Sequence, residues 1–349
     1  GSGSTVTLTL NRANSALLAL LDIPILKSGT EKQDIPIGTG PYLYDGSSGA
    51  CLLASQNWWQ HTAQPVERIM LTETADQEAS VYRFSSHEVQ LMVSDLTGTD
   101  SIPVSGSAGC IDADTTVLQY IGINTSVKGL DDAAFRRCLS LGLNRQSLIS
   151  GLLSGHAKAA QFPISPVSGL YPAELHTTYS ATAFSEALAA CESRPTRTLR
   201  LLVNEENSFK LSVAREIAAS FSAAGIDMTV TALPCADYTA GSFDLYYREV
   251  RLTADWNLAP LLATGGRLNY GGWSDARCDQ LLEAARSALD QKAALSTLCR
   301  YLLLQTPILP VCFKSVSVLY AANTVSGLSP TAAEPFYELQ DITIQLRNG

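Results

Sequence analysis

The sequence predicts a mixed α/β fold, because two stretches switch between strand periodicity and helix periodicity. The clearer stretch covers residues 199–232, where two alternating apolar strands flank a helical segment. The helix has an apolar face that includes Leu211, Ile217 and Phe221, which recur with a period of about 3.6 residues. In the second stretch, residues 116–153, a strand at 116–124 is followed by a helix that starts at residue 131 and by a second helix at 146–153. The β-α-β order of residues 199–232 predicts that part of the fold is a parallel α/β sheet.

The remaining elements follow in chain order. In the first hundred or so residues, helices are predicted at 14–21 and 76–85, and strands at 5–10, 42–44, 66–72 and 89–92. Strands 66–72 and 89–92 flank a helix, so we expect them to pair in parallel through a right-handed crossover. Nearer the C-terminus, Ser274 is expected to cap a helix that continues to residue 289, and another helix is predicted at 293–305. The last predicted strands are 308–313, 316–320 and 336–346.

Composition narrows the class of protein. The chain has 349 residues and a formal net charge of −9, with no basic stripe of the kind that binds phosphate backbones. Nucleic acid is therefore not expected as a partner. No apolar run approaches the roughly 20 residues of a membrane span. The opening Gly1–Ser4 is typical of a linker, so the sequence is interpreted as a fragment or a mature form.

The sequence shows no motif that requires catalysis or a cofactor. Eight cysteines occur without a CxxC pair, and four histidines are scattered without metal-ligand spacing. Cys138, Cys278 and Cys299 fall on apolar helix faces and are expected to be buried thiols. Whether other cysteines form disulfides is left open. We therefore expect no metal site, no cofactor and no enzymatic activity.

Residues 243–273 combine the charged and aromatic side chains that a small-molecule site needs. The stretch begins as an alternating strand and ends in a Gly-rich turn segment. Its candidate ligand-binding residues are Glu249, Arg251, Asp255, Trp256, Tyr270 and Trp273. A carboxylate and a guanidinium beside aromatic rings suit a zwitterionic, partly apolar ligand. On spacing alone, the favoured interpretation is a structural strand end with solvated charges.

Several segments, taken in order, resemble the bacterial family-5 extracellular solute-binding proteins, the oligopeptide- and dipeptide-binding subunits of ABC importers. The segment IGTGPYLY at 37–44 resembles a G-T-G-P-Y signature of this family. Further similar segments are QNWW at 56–59, SHEVQ at 86–90, GINT at 122–125, residues 131–145, and QTPILPVCFK at 305–314. Each match is modest alone, but their common order covers nearly all of the chain.

The resemblance implies a two-lobe, type II periplasmic-binding-protein-like α/β fold. Two strands near 118–124 and 308–313 would act as the hinge, with ligand held between the lobes. The first lobe is expected to comprise residues 1–120 and 312–349, and the second lobe residues 121–311. The family carries a segment before the strand matched by residues 5–10, so the first lobe is expected to be incomplete.

The resemblance also implies a function. We expect a monomeric substrate-binding component of an ABC importer, which captures short peptides and delivers them to permease subunits in the membrane. Its expected location is outside the cytoplasmic membrane, as a cell-surface lipoprotein or a periplasmic protein. A binder of another solute, such as a sugar or metal chelate, stays open, as does a signalling or adhesion module that retains the fold.

The resemblance suggests roles for the candidate site residues. In peptide binders of the family, an aspartate in the loop after the strand matched by residues 243–249 holds the ligand's amino group. Asp255 is the nearest match, although the usual D-P-D pattern is absent. Arg251 would then receive the ligand's carboxylate, and Trp256, Tyr270 and Trp273 would line the pocket. The alternative is that Arg251 and Asp255 pair with each other at the strand end.

Overall fold

A computed structural model describes residues 4–47, 49–99, 101–104, 108–234 and 243–345. The chain forms two compact units. Unit 1 contains residues 1–21 and 116–314, and unit 2 contains residues 22–115 and 315–349. The lobe boundaries predicted from the resemblance stay a prediction.

The described residues form a mixture of helices and strands, as predicted. The helices are α1 (Gln77–Ser85), α2 (Ala133–Gly142), α3 (Arg145–Leu152), α4 (Ala181–Ala189), α5 (Ser208–Ala223), α6 (Ala259–Leu262), α7 (Ala276–Ser287) and α8 (Gln291–Gln305). The strands are β1 (Tyr42–Asp45), β2 (Cys51–Ala54), β3 (Arg68–Met70), β4 (Leu91–Ser94), β5 (Ala108–Ile123), β6 (Ala157–Ala159), β7 (Leu199–Asn204), β8 (Met228–Leu233), β9 (Leu245–Arg251), β10 (Ile308–Ala321), β11 (Val325–Ser326) and β12 (Thr343–Ile344). Short 3-10 helices lie at Leu17–Leu20, Ala173–Leu175 and Leu339–Asp341.

A mixed sheet organises unit 1. Its strand order is β10-β5-β9-β7-β8, and β6 pairs with the first part of β10. Strand β7 is parallel to β8, with Leu199 opposite Met228, and also parallel to β9. Helix α5 connects β7 to β8, which confirms the predicted β-α-β unit. Asn207 caps α5 by accepting a hydrogen bond from the Lys210 N–H (2.8 Å), and the chain turns after α5 at Gly225, whose φ is 86°.

Side chains alternate across this sheet, so the sheet of unit 1 is covered on both faces. One apolar cluster includes Leu201 and Tyr247 with Phe221 of α5. The other includes the intervening Leu202 and Tyr246, packed with α7 and α8. Burying one large apolar side chain contributes roughly 1.5–3 kcal/mol, so these two clusters contribute strongly to the stability of unit 1.

Side-chain caps position the helices that border the predicted site region. The Asp275 carboxylate accepts a hydrogen bond from the Cys278 N–H (2.7 Å) at the start of α7, and Tyr301 Oη donates to the same carboxylate (2.9 Å). The prediction that Ser274 caps this helix is therefore wrong by one residue. At the start of α8, Asp290 accepts from the Ala293 N–H (2.9 Å). Each such cap stabilises its helix by about 1 kcal/mol.

Unit 2 contains smaller sheets. Strands β1, β2 and β3 form an antiparallel sheet, and β4 pairs antiparallel with residues 317–320 of β10. The expected parallel pair of strands around α1 is therefore wrong, because β3 and β4 belong to different sheets. Helix α1 itself is confirmed, with Asp76 as its cap. In the QNWW segment, Trp58 Nε1 donates to the Thr39 carbonyl, while Trp59 stays 66% exposed.

The predicted first strand and first helix are not formed. Residues 5–10 make no strand, and Val6, Leu8 and Leu10 are 78%, 54% and 44% exposed. Alternation gives a segment one apolar side, but a strand also needs a partner strand to satisfy its backbone groups. The helix expected at 14–21 is reduced to the 3-10 turn at Leu17–Leu20.

The C-terminal strands also differ from prediction. Residues 308–321 form one continuous strand, β10, where two strands were expected. The strand predicted at 336–346 is shortened to β12, after a 3-10 turn. The strands β5 and β10, which cover the predicted hinge positions, each continue from one unit into the other.

The described cysteines are free thiols, and Cys235 lies outside the described residues. Cys138, Cys278 and Cys299 are buried, as predicted. None of the described helices has both the length and the apolar character to cross a bilayer.

Candidate functional site

The predicted site stretch is divided by strand β9. Tyr247 packs into the cluster on the α5 side of the sheet, and Glu249 and Arg251 follow it at the two-residue period of that face. Tyr246 and Val250 belong to the opposite cluster, on the α7 and α8 side. The predicted residues beyond β9 join that second side. The sheet therefore separates Glu249 and Arg251 from the aromatic residues that were predicted to lie beside them.

Glu249 is the centre of a charged group. Its Oε2 lies 3.1 Å from Lys210 Nζ and 3.9 Å from Lys314 Nζ. The amide of Gln119 also donates to Oε2, at 3.3 Å. We call these four residues the Glu249 cluster. The two lysine side chains are 9% and 6% exposed, while the Glu249 side chain is 36% exposed. The carboxylate is therefore the member that solvent reaches most easily.

Neighbouring elements hold the Glu249 cluster in place. Gln119 lies on β5, and its Oε1 accepts a hydrogen bond from Tyr247 Oη at 2.6 Å. That contact turns the Gln119 amide nitrogen toward Glu249. Lys210 belongs to the first turn of α5, and Lys314 belongs to β10. Three strands and one helix thus converge on one carboxylate.

The electrostatics of the Glu249 cluster favour the charged carboxylate. Burial alone would raise the pKa of Glu249, but Lys210, Lys314 and the hydrogen bonds outweigh it, and the pKa is lowered. The cluster therefore combines one carboxylate with two ammonium groups at neutral pH. A site with both signs of charge can bind the amino group and the carboxylate of a zwitterion.

Arg251 is exposed and does not approach Asp255. It is the last residue of β9, where it lies opposite Val117 of β5. Among the described residues, no ion pair joins Arg251 to Asp255. The alternative interpretation, in which these two residues neutralise each other, does not describe this structure. Arg251 presents its guanidinium to solvent on the face of β9 that carries Glu249.

Asp255 is buried and already has hydrogen-bond donors. Its Oδ2 accepts from Asn14 Nδ2 at 3.2 Å, and its backbone carbonyl accepts from Gln291 Nε2 at 3.0 Å. The cavity beside it measures about 10 Å³, which is close to the space of one water molecule. Asp255 is 9% exposed, so a ligand's ammonium group has no open space beside it in this conformation.

Trp256 and Trp273 belong to the apolar cluster on the α7 and α8 side, and each is 7% exposed. Trp256 has a positive φ of 53°, which turns the chain sharply after Asp255. Its indole Nε1 donates to Ser168 Oγ at 3.1 Å, and its ring lies edge-on to Phe313 at 5.7 Å. Both tryptophans therefore pack as core residues.

Tyr270 is the exposed aromatic residue of the predicted group, at 43%. The Arg248 guanidinium lies 4.8 Å from the centre of its ring, and Tyr246 packs edge-on against it at 6.0 Å. The next residue, Gly271, is a glycine for a steric reason. A Cβ there would lie 2.0 Å from the Ile123 carbonyl oxygen, which belongs to the β5 backbone. The Gly-rich segment thus places Tyr270 by packing directly on β5.

The two lysines and the glutamine of the Glu249 cluster were not predicted from the sequence. Lys314 interrupts an otherwise apolar run, VCFKSV, in a strand that is buried along most of its length. A charged residue in such a run indicates a buried partner or a site. Lys210 carried no comparable signal, because its position in the first turn of a helix is compatible with a solvated face.

Solved structures of two-lobe substrate-binding proteins share the α/β fold of this chain, which confirms the predicted fold class. The nickel ABC transporter of Bacillus halodurans has a TM-score of 0.77 at 16% identity, with 92% of this chain and 73% of that chain covered. The substrate-binding protein CtaP of Listeria monocytogenes has a TM-score of 0.74 at 14% identity, with 88% and 67% covered. At these identities the likeness shows the fold alone.

The sequence identifies the family. Residues 2–263 match the model for the bacterial extracellular solute-binding proteins, family 5 (middle region), and the chain belongs to this family. A glutathione-binding protein of Pectobacterium atrosepticum is 22% identical over 302 residues, which cover 80% of this chain and 59% of the relative. A putative ABC transporter peptide-binding protein of Brucella ovis is 26% identical over 133 residues, 36% of this chain and 24% of the relative. The chain thus spans only part of the length of these relatives.

Proposed function

We propose that the chain is the substrate-binding part of an ABC importer and that its ligands are short peptides. The observation that carries this proposal is membership of the family-5 solute-binding proteins over residues 2–263. The names of the relatives support the ligand class. They include glutathione-binding proteins and a di/tripeptide-binding protein of Pseudomonas aeruginosa, which is 26% identical over 149 residues.

The Glu249 cluster supplies the chemistry that this proposal needs. The carboxylate of Glu249 would receive the ammonium group of a peptide, and the lysines beside it would attract a peptide carboxylate. Arg251, on the same face of β9, offers a second cation. Broad side-chain specificity follows if the ligand is held mainly through its charged termini and backbone.

The other predicted residues divide into two groups within this proposal. Tyr270 is half exposed and would offer an aromatic surface to an apolar side chain of the peptide. Asp255, Trp256 and Trp273 are buried, so in this conformation they support the loop after β9. The contact predicted between Asp255 and a ligand's amino group stays a prediction, which the Asp255→Ala variant tests.

The location and partners proposed for the protein follow the family's description as extracellular. The protein would act outside the cytoplasmic membrane, as a periplasmic or lipid-anchored monomer, and would deliver its ligand to permease subunits.

A nickel chelate is the second candidate ligand. Structural neighbours support it, including the Bacillus halodurans protein and a Campylobacter jejuni protein solved in complex with Ni(L-His), at TM-scores of 0.77 and 0.61. A metal chelate with carboxylate groups would meet the same lysines and Arg251.

Calorimetry distinguishes the two candidates. We expect saturable binding of unlabelled di- and tripeptides and no displacement of them by Ni(L-His). Replacing Glu249 with Gln should weaken binding of a tripeptide by about 10- to 100-fold, as expected for the loss of a charge-assisted hydrogen bond worth about 1.5–3 kcal/mol. Glu216→Gln, at an exposed position of α5, is the matched control and should leave affinity unchanged.

Tight binding of Ni(L-His) without peptide binding would reject the peptide proposal. Equal tripeptide affinity in the Glu249→Gln and Glu216→Gln variants would keep a peptide-binding function and reject the Glu249 cluster as its site.

A further inference from the structure

Unit 1 contains a cavity that lies apart from the Glu249 cluster. Helices α2 and α4, the end of α8 and residues 161–163, 177–180 and 306–310 line it, and its volume is about 660 Å³. This volume falls within the roughly 300–1,000 Å³ of pockets that hold small molecules. None of the four residues of the Glu249 cluster lines it. The cavity is therefore a separate candidate site.

The walls of this cavity are mainly apolar. Leu141 of α2, Ala183 and Ala187 of α4, and Leu302 and Leu303 of α8 all contribute to them. The small alanine side chains of α4 leave the space that larger residues would fill. Such a surface favours the hydrocarbon part of a ligand, at about 25 cal/mol for each Å² removed from water.

The charges on the walls have one sign. Among the described residues that line the cavity, Arg137 and Arg145 are cationic, and none is aspartate or glutamate. The chain as a whole has a formal net charge of −9, so an acid-free lining with two guanidinium groups runs against its average composition. An anionic group is the ligand chemistry that complements this lining.

The two guanidinium groups bond to neutral acceptors. Arg145 donates through Nε to the Pro310 carbonyl (2.7 Å), through Nη1 to the Ser140 carbonyl (3.1 Å) and through Nη2 to Ser140 Oγ (3.1 Å). Arg137 donates through Nη1 to the Leu304 carbonyl at 2.7 Å. These contacts orient the side chains, and none of them is to a carboxylate, although the charge of Arg137 is near enough to Asp132 to help lower the pKa of that carboxyl.

Burial makes the charge of Arg145 costly. It lowers the pKa of Arg145 to about 10, so the group is still protonated at neutral pH. A half-buried cation that bonds only to neutral groups is stabilised further by an anion that reaches it. The cavity gives such an anion access.

We propose that the cavity between α2, α4 and α8 is a second ligand site, which binds a small amphipathic carboxylate of the fatty-acid type. Its hydrocarbon part packs against the leucines and alanines, and its carboxylate lies beside Arg145 and Arg137. A zwitterionic peptide is the poorer fit, because no acidic side chain on the described walls would receive its ammonium group. This inference does not depend on the function proposed above.

The test compares two probes that have the same tail and opposite charge. Decanoate and decyltrimethylammonium, each below its micelle concentration, are titrated into the protein by calorimetry. We expect saturable 1:1 binding of decanoate and at least tenfold weaker binding of the cation. Equal binding of the two probes would overturn the proposal. The absence of saturable decanoate binding up to about 1 mM would also overturn it, since a Kd above that value corresponds to a very weak complex.

Variants of α4 locate the bound probe. Ala187→Phe fills the cavity and should lower decanoate affinity at least tenfold. Ala189→Phe, at an exposed position of the same helix, is the matched control and should leave it unchanged. Unchanged affinity in a folded Ala187→Phe protein would place the probe elsewhere and reject the site.

A charge variant keeps the test decisive if Ala187→Phe does not fold. Arg137→Gln removes one guanidinium that makes a single hydrogen bond to the end of α8. This variant should lower decanoate affinity about three- to tenfold. It should not lower the affinity for decyltrimethylammonium. Equal loss for both probes would show that charge does not select the ligand.

Discussion

Glu249 and Asp255 are close in sequence, and each carboxylate was a candidate for the same task, yet their surroundings differ. Glu249 lies beside two lysines and its side chain is 36% exposed. Asp255 is 9% exposed and receives an amide hydrogen bond from Asn14, with about 10 Å³ of space beside it. Glu249 is thus partly open to solvent beside two cations, whereas Asp255 is enclosed and hydrogen-bonded within the loop that follows β9. The difference shows that two carboxylates close in sequence can differ in exposure and in bonding partners, which their spacing does not indicate.

The largest expected effect on stability comes from truncating Trp256, the residue after Asp255. Replacing Trp256 with Ala should destabilise the protein by about 4 kcal/mol, since truncation of a buried tryptophan typically costs about 3–5 kcal/mol. Chemical denaturation measures this change. Trp59→Ala, at a position 66% exposed, is the control and should change stability little. A stable Trp256→Ala protein with weakened peptide binding would instead make Trp256 a ligand contact.

The Glu249→Gln variant should have the next largest effect on stability. It removes the carboxylate that Lys210 and Lys314 contact, and both lysines remain buried. We expect a loss of about 2 kcal/mol at pH 7, below the roughly 3–5 kcal/mol for a fully buried pair, because Glu249 is partly exposed. Glu283→Gln, in an exposed ion pair on α7, is the matched control and should behave like the wild type.

The stability difference between the wild type and the Glu249→Gln variant should depend on pH. The pKa of Glu249 is lowered from 4.5 in the folded protein, so its contribution is fully present above about 4.5 and is lost as pH falls below that value through the folded pKa. The stability difference between wild type and Glu249→Gln should therefore be constant from pH 7 to pH 6 and shrink below about pH 4.5. Denaturation curves at several pH values measure it. A difference that grows as pH falls would contradict the lysine contacts.

Replacing Asp255 with Ala should have a smaller effect. The lost hydrogen bonds from Asn14 and the Asn257 N–H are worth about 1 kcal/mol together, because the second is long at 3.4 Å. Thermal denaturation measures this loss, and calorimetry decides the role. If peptide affinity falls by more than the loss of stability accounts for, the predicted ligand contact is confirmed. Unchanged affinity would exclude it.

Tyr270→Ala should have the smallest effect on stability. The ring is half exposed, and its contact with Arg248 contributes about 0.5–1 kcal/mol. Peptides with an apolar side chain should lose more affinity than peptides of glycine, which calorimetry with both kinds measures. Equal losses would show that the ring does not contact the peptide's side chains.

The parts of the fold predicted correctly are those with strong local patterns. Helix α5 has 16 residues with a regular apolar face, and the strands beside it alternate clearly, so β7, α5 and β8 were identified. Helix α4 was missed, since its sequence ATAFSEALA is short, mostly small residues, and has only two large apolar side chains, Phe184 and Leu188. The pairing of β3 and β4 was wrong because local patterns do not specify which strands become neighbours.

The candidate site was harder to predict for the same physical reason. The two-residue period of β9 places Glu249 and Arg251 on one face, and this could have been derived from sequence. The contacts that decide each carboxylate's role come from distant positions. Asn14 reaches Asp255 across 241 residues, and Lys314 reaches Glu249 from a strand late in the chain. No local pattern contains such partners.

The burial of Lys210 and Lys314 has a consequence for how the proposed site responds to ionic strength. Mobile salt ions weaken interactions between exposed charges over a Debye length of about 10 Å at 0.1 M, and they act much less on charges enclosed by protein. Two lysines that are 9% and 6% exposed are therefore poorly screened. Attraction of a peptide's carboxylate to them would persist in concentrated salt, where a site built from surface lysines would lose most of its attraction.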